Sequence, residues 1–286
     1  MDWIATVING LLIGGLYGLF GLGLAFAFGI MRVVNVAHGE FIVLAAYAGL
    51  FLSEAVPMGP VLLVLAVALL AFVLGYLLQI GLINRVMNTD PLPPLLVTFG
   101  ISIMLRNLMV EGFGADLRTI DVGALKLESF ALFGITIGVL PLIILCVAVA
   151  LFVGLHLVLT RTAFGRVVRA TSDDSDIVQL FGISYRHVYG IAMGLAVSVS
   201  AVAGMLLGMR TAFTPFSGVD RLLISFEVVI IGGLGSIWGA LVGGFLLGVT
   251  HLLGLKFDPD GGLLYAHLMF FLILIVMPSG ISQWRR

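Results

Sequence analysis

Runs of about 20 or more consecutive, mostly apolar residues recur along this chain, and a helix of that length crosses the hydrocarbon core of a bilayer. Residues 8–28, 59–83, 138–159 and 188–209 are the long ones, and 42–52, 95–110, 224–231, 237–255 and 263–277 are shorter. Soluble domains carry about 25% charged residues; this one carries 10%, with 61% hydrophobic residues. The expected fold class is therefore an all-α integral membrane protein. It is a polytopic helical bundle of roughly eight or nine membrane segments, read as a single domain over 1–286.

Several classes are excluded. The net charge of −1 gives no footing for nucleic acid. Cys146 is the sole cysteine, so internal disulfides and cysteine-ligated metal sites are ruled out. No cofactor and no metal are expected. Lys126 and Lys256 both follow leucine, so no Gly-Lys-Ser/Thr phosphate loop exists. His-Glu-x-x-His is missing, and Gly-x-Ser-x-Gly fails at Met104. No catalytic residue is assigned. Asp2 and Trp3 lack the basic character of a signal peptide, so the first run reads as a retained span. Its Gly10, Gly14 and Gly18 repeat every four residues, a spacing that admits a second helix at close range.

The longest polar interval, residues 160–186, holds Arg161, Arg166, Arg169, Arg186, Asp173, Asp174 and Asp176. Two short helices are predicted, over 164–170 and 174–181. Arg166 and Arg169 share a face. Asp173 is placed at the second N-cap, with Asp176 three residues on, and Gly182 suits the C′ position. Ile177, Leu180 and Phe181 form one apolar stripe. Such a helix is either a docking surface or a charged loop folded back on the protein.

Residues 29–41 place Arg32, Asn35, His38 and Glu40 between apolar runs. Ionisable groups at membrane depth mark pathways or internal pairs, although an interfacial turn also fits. Arg106 lies inside a predicted span and either faces protein or snorkels. Residues 84–94 read as a turn, 111–135 as an extramembrane loop and 210–222 as another loop. Glu227 sits in a short apolar half-helix, and Gly232, Gly233, Gly235 and Gly239 break that half from the following run. Discontinuous helices of this kind line transport sites; close packing around a buried, paired glutamate is the other reading.

Three stretches carry a family resemblance. Phe164-Gly165-Arg166, Arg169-Ala170, Asp173-Asp174 and Leu180-Phe181-Gly182-Ile183 resemble the cytoplasmic coupling loop of ABC importer permeases for branched-chain and other hydrophobic amino acids. Asn35-Val36-Ala37-His38-Gly39-Glu40 is similar to that family's Asn-x-Ala-His-Gly-Glu motif. Phe226-Glu227 with the glycine run resembles its Gly-Gly-hydrophobic-Gly-Ser-x-x-Gly-Ala stretch. The resemblance implies a transport subunit, not an enzyme. It implies a cytoplasmic coupling segment over 160–187 that meets an ATPase through Phe164, Gly165, Arg166, Arg169, Ala170, Asp173, Asp174, Ile177, Leu180, Phe181 and Gly182. A broken or re-entrant segment and a translocation pathway involving Asn35, His38, Gly39, Glu40, Arg106, Glu227, Gly232, Gly233 and Gly235 are also expected.

The partners implied are a second permease subunit of a different, homologous chain, two cytoplasmic ATPases, an external solute-binding protein and the lipid bilayer. The alternative is a secondary transporter or channel acting alone through Glu40, Arg106 and Glu227. The excess of arginines puts the coupling segment and the C-terminus, anchored by Trp284, Arg285 and Arg286, in the cytoplasm of a bacterial cell. The N-terminus is expected outside.

Overall fold

The computed structural model describes residues 2–87, 90, 92–132 and 134–282. The predicted Trp284–Arg286 anchor lies outside them, as do Asn88, Thr89 and Pro91 of the predicted turn. In chain order the elements are α1 (Asp2–Met31), α2 (His38–Ala55) and α3 (Pro60–Leu78). A π turn at Gln79–Ile83 leads from α3 into α4 (Asn84–Val86), and α5 (Leu92–Phe113) follows. A 3₁₀ turn at Gly123–Lys126 precedes β1 (Ser129–Leu132), β2 (Ile135–Gly138) and α6 (Val139–Arg161). Then come α7 (Ala163–Asp173), α8 (Ser175–Leu180), α9 (Tyr185–Arg210), α10 (Ser217–Gly232), α11 (Ile237–Phe257) and α12 (Gly262–Val276).

Among the described residues, six helical stretches have the length and apolar content to cross a membrane: α1, α3 through α4, α5, α6, α9 and α11. The count of eight or nine segments is reached only by adding α2, α10 and α12, which are shorter or less apolar. The all-helical expectation is broken by the antiparallel β1–β2 hairpin, pairing Ser129 with Gly138 through Leu132 with Ile135, and by an isolated antiparallel bridge between Arg118 and Phe213. The hairpin occupies part of what the sequence suggested was plain loop.

Helix α1 runs through the centre, packed by α6, α9, α10 and α11. The glycine spacing explains how. A Cβ on Gly14 would stand 2.7 Å from the carbonyl oxygen of Gly244, and one on Gly248 2.4 Å from the nitrogen of Gly14. Gly10, Gly14 and Gly18 thus meet Gly244 and Gly248 backbone to backbone, with the two helices antiparallel. Polar pairs add to this seam: Tyr17 Oη lies 2.6 Å from His251 Nδ1, and Lys256 Nζ sits 4.2 Å above the Trp3 ring.

Two sequence expectations need correcting. The loop over 210–222 ends earlier, because α10 begins at Ser217. Ser217 Oγ accepts from the Thr214 nitrogen, and Asp220 occupies the first turn of the helix, where a carboxylate is favourable. The turn signals Pro215, Gly218 and Asp220 therefore mark a helix start. Second, the glycines do break α10 from α11, but the earlier segment is a 16-residue helix and not the short half expected over 224–231. A Cβ on Gly243 would meet the Val228 carbonyl oxygen at 2.3 Å, and one on Gly239 the Gly232 oxygen at 2.1 Å. Helices α10 and α11 fold back on each other as a tight hairpin, turned through Gly233 (φ 97°) and Gly235 (φ 81°).

One end of the bundle gathers α7, the last turn of α1, the α10–α11 turn and the final described residues. Gly29 abuts Gly235, and the nitrogens of Ile281 and Ser282 donate to the carbonyls of Ile231 and Gly232. At a rise of 1.5 Å per residue, α1 places Trp3 roughly 40 Å away, at the other end.

Candidate functional sites

The coupling segment stands off the bundle on a few defined contacts. Helix α7 starts at Ala163, with the Thr162 hydroxyl accepting from the Gly165 nitrogen at 3.1 Å. It packs directly on the end of α6: a Cβ on Gly165 would fall 2.1 Å from the Leu159 oxygen, so only glycine fits. The Arg169 guanidinium donates to that same Leu159 carbonyl, one of the last-turn acceptors that α6 cannot satisfy itself. Arg169 is therefore partly committed to the bundle, whereas Arg166 is exposed with no such tie.

The N-cap of α8 is Asp174, not Asp173. Its extended backbone lets Oδ1 accept from the nitrogens of Asp176 and Ile177 at 2.9 and 3.0 Å. Asp173 is instead the last residue of α7, because that helix continues until the Asp174 nitrogen donates to the Ala170 carbonyl. Gly182 adopts φ 78°, and its nitrogen closes on the Gln179 carbonyl at 2.9 Å. The apolar stripe is open: Ile177, Leu180 and Phe181 are 52%, 85% and 79% exposed. Beside it lies an apolar groove of about 460 Å³, lined by Val167, Ala170, Ile177, Val178, Phe181 and Ile183 with Arg166 at its edge.

The second region begins where α1 ends. Arg32 takes φ 52°, the one positive φ at a non-glycine among the described residues. The chain then turns back into the bundle. Asn35 Oδ1 accepts from the Ala37 nitrogen at 3.0 Å, and the Val36 nitrogen donates to Thr98 Oγ1 at 3.2 Å. His38 Nε2 donates to the carbonyl of Phe20, in the middle of α1, at 2.8 Å. A Cβ on Gly39 would lie 1.9 Å from the Gly218 oxygen. Asn35 thus satisfies backbone, His38 pins the start of α2 to α1, and Gly39 lets α10 approach. All three are buried and packed.

Glu40 differs. It is 1% exposed, and its Oε1 accepts from Arg106 Nη2 at 2.6 Å; the Arg106 side chain is 28% exposed. Glu40 Oε2 and Arg106 Nε are buried with no partner among the described residues. Arg106 therefore faces protein, reaching from α5 to the buried carboxylate on α2. The outer face of α5 exposes Asn107 and Glu111 among Ile103, Met104 and Leu108.

Glu227 is buried and paired, as one reading of the sequence allowed. Its partner is His267 of α12, with Nδ1 2.5 Å from Oε1. Nothing in the local pattern around either residue announced that pair, because they are 40 residues apart. Gly232, Gly233 and Gly235 do not join Glu40 and Arg106. They form the α10–α11 turn at the coupling end, while Gly218 at the other end of α10 touches Glu40. No group of three or more His, Cys, Asp or Glu side chains suited to a metal occurs among the described residues.

A glycine-seamed bundle of apolar helices with a projecting amphipathic pair defines a polytopic helical membrane protein. Residues 6–278 match the family described as branched-chain amino acid transport system / permease component, and the chain belongs to that family. It is 27% identical to the high-affinity branched-chain amino acid transport system permease protein BraD of Pseudomonas aeruginosa, covering 98% of this chain and 95% of that protein. It is 29% identical to the probable branched-chain amino acid transport permease protein LivH of Methanocaldococcus jannaschii, covering 94% and 89%. The fold is similar to a chain in the solved structure of PsaBC from Streptococcus pneumoniae in complex with Fab, with a TM-score of 0.52 and 13% identity over 95% of this chain and 91% of that one.

Proposed function

We propose that this chain is the membrane-embedded permease subunit of an ABC importer that moves branched-chain or other hydrophobic amino acids inward, across a bacterial inner membrane. The observation that carries the reading is the exposed stripe Ile177, Leu180 and Phe181 on a capped short helix, in a chain that has no phosphate loop of its own. Exposed apolar groups of this size at the surface of a charged segment mark a protein interface. The occupant is a cytoplasmic ATPase whose nucleotide-driven closure is transmitted mechanically. Arg166 meets acidic groups at the rim of its docking groove.

Two ATPases, a second and homologous permease chain and an external solute-binding protein complete the assembly. The coupling segment and C-terminus are cytoplasmic and the N-terminus is outside; the clustering of the coupling segment with Ile281 and Ser282 at one end, and of Trp3 at the other, supports this arrangement. The translocation pathway runs along the outer face of α5. Asn107 and Glu111 would be costly against lipid, so this face meets the second permease chain and water.

The test is uptake in liposomes. The full assembly takes up labelled leucine only with ATP inside and the binding protein outside. Leucine accumulation by this chain alone, driven by an ion gradient without ATP, would replace the proposal with a secondary transporter working through Glu40, Arg106 and Glu227.

A further inference from the structure

We infer that Ser172 is a positioning residue for transport: its hydroxyl ties the coupling segment to the α10–α11 hairpin through Gly29. The inference rests on the permease reading above. Ser172 Oγ donates to the Gly29 carbonyl at 2.8 Å. Gly29 lies in the last turn of α1, where carbonyls lack a partner further along the helix, so the hydroxyl supplies one that α1 cannot.

Gly29 in turn touches the α10–α11 turn. A Cβ placed on it would stand 3.1 Å from the Gly235 oxygen and 3.2 Å from the Gly235 Cα. Gly235 and Gly233 hold positive φ, and a Cβ on Gly280 would approach Gly233 to 2.5 Å. At both contacts the turn meets its neighbours through glycine backbone.

From the turn, α10 runs 16 residues, about 24 Å at 1.5 Å per residue. At its far end a Cβ on Gly218 would lie 3.0 Å from Glu40 Cδ and Oε1. Glu40 is the carboxylate that holds Arg106. The chain of contacts is therefore Ser172, Gly29, Gly235, the rigid rod α10, Gly218 and the Glu40–Arg106 pair. A push on α7 reaches the ion pair through one hydrogen bond, from Ser172 to Gly29, and then through close contacts, the last of them between Gly218 and the Glu40 side chain.

The experiment uses the complete assembly, with ATPases and binding protein, in liposomes. ATP hydrolysed per leucine transported is the readout, and ATPase co-purification is the control. Ser172→Ala is expected to raise the ratio at least fivefold with co-purification unchanged, and Ser172→Thr, which keeps the hydroxyl, to restore it to within twofold. Gly29→Ala crowds the next joint and is expected to raise the ratio too. The double variant is expected to be no worse than the more severe single variant, as residues acting in series are not additive.

An unchanged ratio in Ser172→Ala, no rescue by Ser172→Thr, or additive effects of the two sites would overturn the relay while leaving the importer intact. Wild-type assembly that transports without ATP overturns both.

Discussion

The α1–α11 seam and the α7–α8 segment solve opposite problems with the same residue type. In the seam, Gly14, Gly18, Gly244 and Gly248 remove side chains so that two helices touch through their backbones. The interface is complete within one chain. In the coupling segment, Gly165 seats α7 on the end of α6 and Gly182 closes α8, while Ile177, Leu180 and Phe181 face outward. That interface is half of something. A membrane helix pair gains little from hydrophobicity, because lipid is equally apolar, so it must gain from fit. Outside the lipid, the hydrophobic effect is available again, and three apolar side chains suffice to recruit a partner.

The largest effect is expected at the seam. Gly244→Leu forces atoms into a space where even a Cβ would lie 2.4 Å from the Gly18 nitrogen. It is expected to abolish monodisperse protein in detergent size-exclusion. Gly100→Leu, on α5 where a Cβ meets nothing within 4 Å, is expected to leave the elution profile unchanged. The reverse pattern belongs to the coupling segment. Leu180→Asp with Phe181→Asp should abolish ATPase co-purification and leave the size-exclusion profile intact, because neither side chain is buried in the subunit.

The Glu40–Arg106 pair lies between these extremes. Arg106→Ala strands a carboxylate that is 1% exposed, and removing one partner of a buried pair costs about 3–5 kcal/mol. The lower end applies, since the Arg106 side chain is 28% exposed. A fall in thermal stability is expected, and Arg106→Met combined with Glu40→Gln should recover more than half of it. The smallest effect separates neighbouring aspartates. Asp174→Ala removes a helix cap, typically worth about 1 kcal/mol, and should weaken ATPase binding up to about tenfold in a titration of detergent-solubilised permease; one factor of ten is about 1.4 kcal/mol. Asp173→Ala should change it less than twofold.

Much of this was legible in the sequence where a signal is local. Apolar run length located α1, α3, α6, α9 and α11. Four-residue glycine spacing announced the seam, and the alternation of arginines, aspartates and apolar residues announced α7 and α8. Adjacent aspartates defeated the capping assignment, because Asp173 and Asp174 are chemically alike. Only the last hydrogen bond of α7 decides which one is free to bend back. Turn-forming residues at 215–220 misled for a related reason: proline, glycine and aspartate suit a loop and a helix start equally. Pairings at long range left no trace. His267 lies 40 residues from Glu227 and Arg106 66 from Glu40. The sequence showed only that such charges required partners.

The backward turn after Arg32 bears on how the chain is made. Its polar groups are satisfied by Thr98, 62 residues later, and by Met193 and Ser200, about 160 later for Asn35 and His38. A ribosome delivers residues in order, so when this stretch leaves the exit tunnel the Phe20 carbonyl that receives His38 already exists, whereas Thr98, Met193 and Ser200 do not. The contacts of Asn35 with Met193 and of His38 with Ser200 therefore form only after α9 has been made. A chain stopped before that point keeps the turn's contact with α1 and lacks its two contacts with α9.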